Sequence, residues 1–343
     1  EDRVELLRGY KEEEDPESLF NPGKLIPSET RILDLAMKVA DRTEPAVELM
    51  AKAASDKPGR GKELPEGLGY DAFSCVNCGY CRDVCTLFEG RGWESSAPRG
   101  KFNFLRDYVR GEVELTQNMV DTFLLCTTCK RCDDVCQAGI PIQEDWDELR
   151  GFLVDEMGHE TFPAFEMMKE SYGAERNIWA EESGRRDSWL PEGITSTAEA
   201  DTGYWAGCTA SFIEPDIARN AVRIMDEGNR EFAYLGEEEG CCGIPFLTAG
   251  KWDEWEKALR YNVSRINDLG INQMVASCPG CYIALDHYYD EWTEKLGIDW
   301  DVEIVHITEL TNELIDEGAL DFPEEQDLDV TWQDPCHIGR HAG

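Results

Sequence analysis

The stretch that decides the fold is CVNCGYCRDVC, residues 75–85, and CTTCKRCDDVC, residues 126–136, repeats its cysteine spacing. Both stretches read C-x2-C-x2-C-x3-C, and two complete copies of so dense a pattern are not expected by chance. Cysteines this close together favour metal ligation over a disulfide framework, which spreads its cysteines along a loop-rich chain. The eight cysteines are Cys75, Cys78, Cys81, Cys85, Cys126, Cys129, Cys132 and Cys136.

Iron-sulfur clusters and zinc both use closely spaced thiolates. The spacing here is typical of two-cluster bacterial ferredoxins, in which three neighbouring cysteines hold one 4Fe-4S cube and the fourth reaches the other cube. The first cube would take Cys75, Cys78, Cys81 and Cys136, and the second Cys126, Cys129, Cys132 and Cys85. Two four-cysteine zinc sites are the alternative, but the positions of the third and fourth cysteines fit cubes better. The proline that usually follows the fourth cysteine is replaced by Thr86 and Gln137.

A second group of five cysteines follows later in the chain. It comprises Cys208, the adjacent pair Cys241 and Cys242 before Gly243, and the C-x2-C pair Cys278 and Cys281. Adjacent cysteines are poor disulfide partners because bridging them strains the peptide bond. Each cysteine follows a predicted strand or begins a predicted helix, so we expect all five to converge at one edge of a sheet, where α/β folds place their sites.

Two other interpretations of this group stay open. The C-x2-C pair between a strand and a helix is also typical of a thioredoxin-type dithiol, whose first thiolate is stabilised at a helix N-terminus. Four of the five sulfurs would also suffice for a zinc ion. Five cysteines in one site favour a larger cluster.

Predicted secondary structure differs between the two cysteine groups. Around the first group we expect helices near 101–110 and 116–125. Around the second, β-prone runs at 203–206, 231–234, 274–277, 302–305 and 330–332 alternate with helical patterns at 214–228, 252–269, 281–296 and 308–317. Alternation of this kind predicts a mostly parallel α/β layer. The expected fold class is α+β, a helical two-cluster ferredoxin domain followed by an α/β cysteine-rich domain.

Cysteine-free stretches suggest the domain boundaries. Residues 1–70 are predicted to be an N-terminal extension with one helix at about 29–54. A two-cluster domain at 71–157 is followed by a connector at 158–200, which is rich in Glu, Gly and Pro. We assign 201–325 to the first cysteine-rich domain and 326–343 to the start of a second copy.

Charge and composition exclude several classes of function. The 343 residues carry 71 Asp and Glu against 33 Lys and Arg, a formal net charge of -38, which repels nucleic acid and anionic lipid. Twelve lysines against 21 arginines fit a protein adapted to concentrated salt, and a basic partner subunit is the alternative. The longest uncharged stretch, 269–285, is too short and polar to span a bilayer. No Gly-rich phosphate loop is present, so no nucleotide or flavin is expected.

The order of the two cysteine groups resembles that in the D subunit of heterodisulfide reductases and in other CCG-domain iron-sulfur oxidoreductases. Cys208, the Cys241-Cys242-Gly243 triplet and the Cys278-x2-Cys281 pair match the CCG domain, which also occurs in anaerobic glycerol-3-phosphate, glycolate and lactate oxidoreductases. The resemblance covers about residues 71–343. It implies two 4Fe-4S clusters and a further iron-sulfur cluster, non-cubane in part of the family, ligated at the active site by Cys208, Cys241, Cys242, Cys278 and Cys281.

The resemblance also implies a function. The implied protein is an oxidoreductase that passes electrons through two cubane clusters to the CCG-bound cluster. That cluster would reduce a disulfide-type substrate in one-electron steps. The alternative is an electron relay, an iron-sulfur subunit that connects a flavin dehydrogenase with a membrane quinone or cytochrome b. The implied partners are other subunits of a redox complex, a flavoprotein or cytochrome b among them, and a small disulfide. Oxygen-sensitive clusters predict a cytoplasmic location, on the cytoplasmic face where the complex is membrane-bound.

The last residues resemble the beginning of a second CCG repeat, which in this family usually follows the first. Cys336 takes the place of Cys208, so we count it among the metal ligands and expect the repeat to continue past Gly343. A protein that has kept one site only is the alternative. His337 is expected either to tune a cluster or deliver a proton, or, like His341, to be an ordinary hydrogen-bonding group. Arg99 and Lys101 are expected either to offset cluster charge or to lie on a solvated loop.

Overall fold

The computed structural model describes residues 63–65, 67–323 and 326–342. The described chain forms two compact units, the first running to Thr127 and from Arg131 to Leu149, the second comprising Thr128–Lys130 and the chain from Arg150 onward. Helices build the first unit, and helices around a small parallel sheet build the second, which confirms the predicted α+β class. The helix predicted at 29–54 lies outside the described residues.

Short helices separated by turns make up the first unit, and the helices predicted near 101–110 and 116–125 are both present. They are α1 Leu68–Ser74, α2 Tyr80–Asp83, α3 Thr86–Arg91, α4 Pro98–Val109, α5 Gln117–Leu124, α6 Arg131–Asp134 and α7 Ile142–Gly151. Pro98 occupies the first turn of α4, where its missing N–H costs nothing. The core is aromatic, with Trp146 centred 4.8 Å from Phe102 and 5.6 Å from Phe123.

The two cysteine stretches adopt the same backbone conformation at equivalent positions. Asn77 and Thr128, each two residues after the first cysteine of its copy, have φ of 59° and 53°. Gly79 and Lys130, each following the second cysteine, have φ of 90° and 58°. A non-glycine residue in this left-handed region costs about 1–2 kcal/mol, and such strain is typical of ligand-holding turns. The sequence repeat is therefore also a structural repeat.

A four-stranded parallel sheet forms the centre of the second unit, as the alternating pattern predicts. Its strands are β1 Thr202–Trp205, β2 Ala233–Tyr234, β3 Gln273–Ala276 and β4 Glu303–His306, in the order β2-β1-β3-β4. The helices are α8 Pro163–Glu175, α9 Gly207–Phe212, α10 Pro215–Glu227, α11 Ile244–Thr248, α12 Trp252–Leu269, α13 Pro279–Ile283, α14 Tyr289–Leu296 and α15 Ile307–Asp316. Because β1 lies between β2 and β3, the winding reverses beside it, which is the position where α/β sheets place ligands.

Two hydrophobic clusters pack in this unit, and neighbouring residues of β1 enter different ones. Trp205 packs with Trp255 and Tyr289, whereas Tyr204 packs with Val222 and helix α15 residues. Successive strand residues point to opposite faces. The sheet is thus covered on both sides, and its functional residues are confined to its edge.

Three features differ from the sequence prediction or refine it. The helix predicted at 281–296 is interrupted by a π-helical turn, Ala284–Tyr288, between α13 and α14, and such turns are frequent at functional sites. The run 330–332 forms no strand, because no described strand pairs with it, and Val330 is 85% exposed. Residues 158–200, predicted to be a connector, belong to the second unit.

None of the helices in the described part of the chain has the length and apolar character required to cross a membrane.

Candidate functional site

The five later cysteines meet at one edge of the sheet, because β1, β2 and β3 are parallel and their carboxyl ends face the same way. Neighbouring thiols are hydrogen-bonded to one another in a continuous chain. Its order is Cys208, Cys241, Cys242, Cys281, Cys278. The structure therefore brings together all five residues that the sequence groups, and we refer to them as the five-thiol site.

The five-thiol site is buried except at one end. Cys278 is half-buried, and the other four cysteines are buried. Hydrogen bonds from Cys208 and then Cys242 hold the pKa of Cys241 well below its ordinary value. A hydrogen bond from Cys281, aided by the backbone N–H groups of Cys281 and Gly280, lowers the pKa of Cys278 to about 6. Thiolates are the form of cysteine that ligates metal, so the chain favours the ligating form at two positions.

The remaining thiols have raised pKa values. The hydrogen bond with Cys241 is the first cause for both Cys208 and Cys242, and the hydrogen bond with Cys242 is the first cause for Cys281. Cys242 and Cys281, which hold their protons more tightly, thus lie between Cys241 and Cys278, the two cysteines that favour the thiolate form. Metal ligation would displace those protons.

A glycine and an unsatisfied indole lie beside the sulfurs. Gly207 has φ of 76°, and a Cβ there would lie 2.9 Å from Cys281 Sγ. Trp205 Nε1 lies 3.8 Å from the same point, is buried, and has no hydrogen-bond partner among the described residues. A buried N–H without an acceptor is costly, and a cluster sulfide is an acceptor that fits this position. The donor set and the unsatisfied indole N–H therefore fit an iron-sulfur cluster.

Buried polar side chains fix the backbone of the adjacent cysteine pair. Asn262 on α12 donates to the Cys241 carbonyl at 2.8 Å and to Tyr289 Oη at 2.9 Å, and Tyr289 Oη donates to the Cys242 carbonyl at 3.0 Å. Asn262 and Tyr289 are both fully buried. Gly243 follows with φ of 88°, and a Cβ there would lie 2.9 Å from the Trp255 ring. The glycine of the CCG motif is thus required by its conformation and by its neighbour.

Sequence reasoning missed a buried ion pair at this edge. Arg186 and Glu239 are both 0% exposed, and Arg186 Nη1 lies 2.8 Å from Glu239 Oε1. Burial raises the pKa of Glu239 to about 7, although Arg186 and the backbone N–H groups of Ala206 and Gly207 oppose the rise. In the sequence, Glu239 could have been noticed only as an acidic residue two positions before the cysteine pair. Its partner Arg186 lies in the predicted connector, where no site was expected.

In the first unit, cysteines from both copies line one cavity. Its lining includes Cys75, Cys78, Cys81, Cys136 and Arg99. The structure thus brings together the four residues predicted for the first cube. Burial raises the pKa of Cys81 to about 11, opposed by a hydrogen bond from the Arg99 backbone N–H. The Arg106 side chain donates to the carbonyls of Ala72 and Cys75, which fixes the start of the ligand turn.

The structure shows fewer contacts around the other four cysteines of the two copies. Cys85 caps α3 and accepts the Phe88 N–H at 3.5 Å, while Thr86 and Thr127, each following a cysteine, are hydrogen-bonded at 3.2 Å through their hydroxyls. Cys132 Sγ donates to Asp133 at 3.2 Å. In the second unit, Arg340 Nε donates to the Cys129 carbonyl at 2.7 Å. Ligation of a second cube by Cys85, Cys126, Cys129 and Cys132 stays a prediction.

The remaining candidates lie at different places. Lys101 is 1% exposed, with Nζ 5.5 Å from the ring centres of Phe123 and Trp146, so the solvated-loop interpretation is wrong for it. A Cβ on Gly280 would lie 3.7 Å from His337 Nδ1 and 3.8 Å from Cys278 Sγ, which places His337 beside the five-thiol site. Burial lowers the pKa of His337.

Two candidates at the end of the described chain differ in their surroundings. His341 Nε2 lies 2.7 Å from the Thr128 carbonyl. Cys336 is half-buried, and a ligand role for it stays a prediction. Among the described residues, no group of three or more His, Cys, Asp and Glu side chains is arranged to hold a single metal ion.

Comparison with known families identifies both cysteine regions. Residues 71–140 match the model of the 4Fe-4S dicluster domain, and residues 202–286 match that of the cysteine-rich domain known as CCG. No solved structure matches the chain.

Several relatives are similar over most of this chain. The D subunit of the "Dihydromethanophenazine:CoB--CoM heterodisulfide reductase" of Methanosarcina acetivorans is 31% identical over 79% of this chain and 69% of its own length. The "EtfAB:quinone oxidoreductase" of Syntrophomonas wolfei is 29% identical over 88% of this chain and 48% of its own length. The B subunit of the "Fumarate reductase (CoM/CoB)" of Methanothermobacter marburgensis is 24% identical over 78% of this chain and 52% of its own length. The chain therefore belongs to the family of iron-sulfur oxidoreductase subunits that includes the D subunit of heterodisulfide reductase.

Proposed function

We propose that this chain carries electrons through two 4Fe-4S clusters to a third iron-sulfur cluster at the five-thiol site, where a disulfide-type substrate is reduced. The observation that carries the proposal is the continuous chain of five thiols at the carboxyl edge of the sheet. Five sulfurs exceed the four that one zinc ion takes, and the neighbouring copies of C-x2-C-x2-C-x3-C supply the cubane ligands.

Some residues around the five-thiol site hold the cysteine backbone, and one cysteine of the site is accessible to a substrate. When bound, the clusters supply one-electron transfer, the chemistry that cofactors rather than side chains provide. Asn262 and Tyr289 hold the cysteine-pair backbone, and the burial of Cys208, Cys241 and Cys242 keeps water from that end. Cys278 is the half-exposed end, so a substrate sulfur would approach there, beside His337.

The proposal extends to ligand sets, domain extents and partners. The first cube takes Cys75, Cys78, Cys81 and Cys136, the second takes Cys126, Cys129, Cys132 and Cys85, and the third cluster takes the five-thiol site. The cluster domain extends over 71–157 and the first CCG domain over 201–325. Because the relatives are named as subunits and as a quinone oxidoreductase, we propose that the partners are other redox subunits, a flavoprotein or membrane cytochrome b, on the cytoplasmic side.

The test uses the full chain reconstituted anaerobically with iron and sulfide. Reduced viologen is the electron donor, and the CoB–CoM heterodisulfide and glutathione disulfide are compared as substrates. We expect iron for three clusters, viologen oxidation with a disulfide, and a new paramagnetic signal when the product thiol is added to the oxidised protein. Iron for three clusters with no viologen oxidation by either disulfide contradicts the reductase role.

An electron relay is the second candidate, and the burial of four of the five cysteines favours it. The similarity to the quinone oxidoreductase is a second argument for it. A relay would accept electrons from a flavoprotein and pass them to a quinone analogue, and would show no new paramagnetic signal on thiol addition. Zinc in place of iron in the purified protein would contradict both roles.

A further inference from the structure

We propose that Arg186 is a positioning residue of the five-thiol site, whose buried guanidinium holds Cys208 and sets the charge that this edge presents to the bound cluster. The inference rests on the proposed ligation of a cluster by the five cysteines. It concerns a residue outside the segment that matches the CCG family model, which begins at residue 202.

The guanidinium contacts the first ligand directly. Arg186 Nη2 lies 3.8 Å from Cys208 Sγ, within hydrogen-bonding distance for sulfur. Its central carbon lies 5.0 Å from the ring centre of Phe212, so the planar group is supported on an aromatic face. The side chain is 0% exposed. Solvent therefore does not screen its charge from the sulfur.

Glu239 connects the same cation to the backbone before Cys208. One carboxylate oxygen accepts both the Arg186 Nη1 hydrogen bond at 2.8 Å and the Gly207 N–H at 2.9 Å. The other oxygen accepts the Ala206 N–H at 2.9 Å. The two residues preceding Cys208 are thus fixed by a carboxylate that Arg186 neutralises. A buried carboxylate without such a partner would be strongly destabilising.

A shared acceptor extends the network to the second ligand. The Arg176 carbonyl accepts Arg186 Nη2 at 3.4 Å and the Cys241 N–H at 2.7 Å. Arg176 ends α8 with φ of 51°, in the left-handed region that non-glycine residues rarely adopt. That strained conformation is retained at the residue whose carbonyl joins Arg186 to Cys241. One side chain therefore touches Cys208 and shares an acceptor with Cys241.

The arrangement predicts an effect on the potential of the third cluster. Reduction adds one negative charge, and a buried cation that donates to a ligand sulfur stabilises the reduced state more than the oxidised state. Hydrogen bonds to the sulfurs and net charge are among the factors that set iron-sulfur potentials. Removing the cation should therefore shift the midpoint potential of the third cluster to a more negative value.

The experiment compares the full chain with two variants and two matched controls. Arg186→Gln combined with Glu239→Gln removes the guanidinium that contacts Cys208, keeps the net charge of this edge unchanged, and leaves no buried carboxylate unpaired. Arg186→Lys keeps the charge but places it on one nitrogen, which cannot replace the fork that meets Glu239 through Nη1 and Cys208 through Nη2. Arg185→Gln makes the same change one residue earlier, at a side chain 63% exposed and paired with Glu181 at 2.8 Å. Glu238→Gln is the matched control for Glu239→Gln, at a neighbouring side chain that is 65% exposed.

The measurement is an EPR-monitored redox titration, with the two cubane clusters as internal references. We expect a negative shift for the third cluster alone in the double variant, because the lost guanidinium contacts Cys208 Sγ whereas the lost carboxylate contacts backbone N–H groups. The shift should be smaller in Arg186→Lys and absent in either control. An unchanged potential in both Arg186 variants overturns the inference and leaves the proposed function standing. Equal shifts of all three clusters also overturn it, since they indicate a general structural change. A parent protein without a third cluster overturns the proposed function, and this inference with it.

Discussion

The two groups of cysteines are held in different ways. In the first group, seven of the eight thiols are half-buried, and they lie in short turns whose left-handed residues recur at equivalent positions. In the second group, four of the five thiols are buried at the edge of a sheet, and side chains distant in sequence fix their backbone. Local spacing sets most of the first arrangement, whereas tertiary contacts assemble the second.

The difference has a physical origin. A C-x2-C-x2-C turn orients its three thiols through the local backbone, and in the first copy the fourth cysteine and the Arg106 contact come from farther along the chain. The cysteines at a sheet edge lie on loops that follow separate strands. The backbone of each loop therefore needs its own hydrogen-bonding side chain, which we call its anchor. Glu239 is the anchor for the loop before Cys208, and Asn262 and Tyr289 are the anchors for the cysteine pair. We expect the two units to respond differently to substitution.

The largest expected effect is the loss of one cluster from one unit. Cys242→Ser should remove the third cluster and leave both cubanes, whereas Cys78→Ser should impair the first cubane and leave the third cluster, because the ligand sets share no residue. Each loss corresponds to about four iron atoms. Iron analysis and EPR of the anaerobically purified proteins measure it. Loss of all clusters from either variant would contradict the separation of the two sites.

The next effect tests the rigidity of the sheet edge. Gly243→Ala should destabilise the protein by roughly 2–5 kcal/mol, of which about 1–2 comes from the left-handed backbone and about 1–3 from overlap with Trp255. Gly270→Ala is the matched control, with φ of 66° and open space around its Cβ, and should cost only the backbone part. Chemical denaturation under anaerobic conditions measures both. Equal losses would show that Trp255 does not constrain the motif.

The third effect concerns a buried carboxyl pair in the first unit. Burial, reinforced by the charge of Asp71, raises the pKa of Asp145 from 3.8 to about 9. The unfolded chain ionises above about pH 4 while the folded chain keeps the proton, so this carboxyl lowers stability progressively as pH rises from about 4 to about 9. Asp145→Asn, which retains a donor to Asp71, should therefore stabilise the protein, and more so at higher pH.

The measurement compares melting temperatures at pH 6 and pH 8.5. The advantage of the Asn variant should grow by up to about 1.4 kcal/mol per pH unit. Asp107→Asn is the control, because that carboxylate is 43% exposed and pairs with Arg110. A constant difference between the Asp145 variant and the parent across this range would show that Asp145 is ionised in the folded protein.

The smallest effect comes from the cation of the first unit. Arg99 lines the cavity that also contains the four cysteines proposed for the first cube, but it is 23% exposed, and its partner Glu94 is 43% exposed. Arg99→Gln should cost less than about 1 kcal/mol of stability. It should also shift the first cubane potential less than loss of Arg186 shifts the third cluster, because solvent screens Arg99. Denaturation and redox titration test this, and a larger shift at Arg99 would reverse the comparison.

The features that could be predicted from the sequence are those that depend on local residue patterns. Cysteine spacing predicted the grouping of Cys75, Cys78, Cys81 and Cys136, which line one cavity. Strand and helix alternation predicted the parallel sheet, and four of five predicted strands are present. The run 330–332 has strand propensity but no hydrogen-bonded neighbour in the described chain, and propensity alone does not make a strand.

Sequence could not predict contacts between distant residues. Arg186 and Glu239 are 53 positions apart, and nothing in the local composition of residues 158–200 marks a charge that will be fully buried. Asn262 lies on an amphipathic helix. The sequence pattern of such a helix does not show whether a single polar residue on its apolar face is buried or exposed. The surface-loop interpretation is wrong for Lys101, because its side chain is buried and its Nζ lies 5.5 Å from the ring centres of Phe123 and Trp146.

The buried ion pair also bears on how this domain can be cut or transplanted. A fragment begun at residue 202, where the family match starts, would keep Glu239 and discard Arg186. An uncompensated buried charge costs about 3–5 kcal/mol, which is a large part of the stability of an ordinary domain. The smallest transferable cassette therefore begins upstream, at α8, so that it includes Arg176 and Arg186.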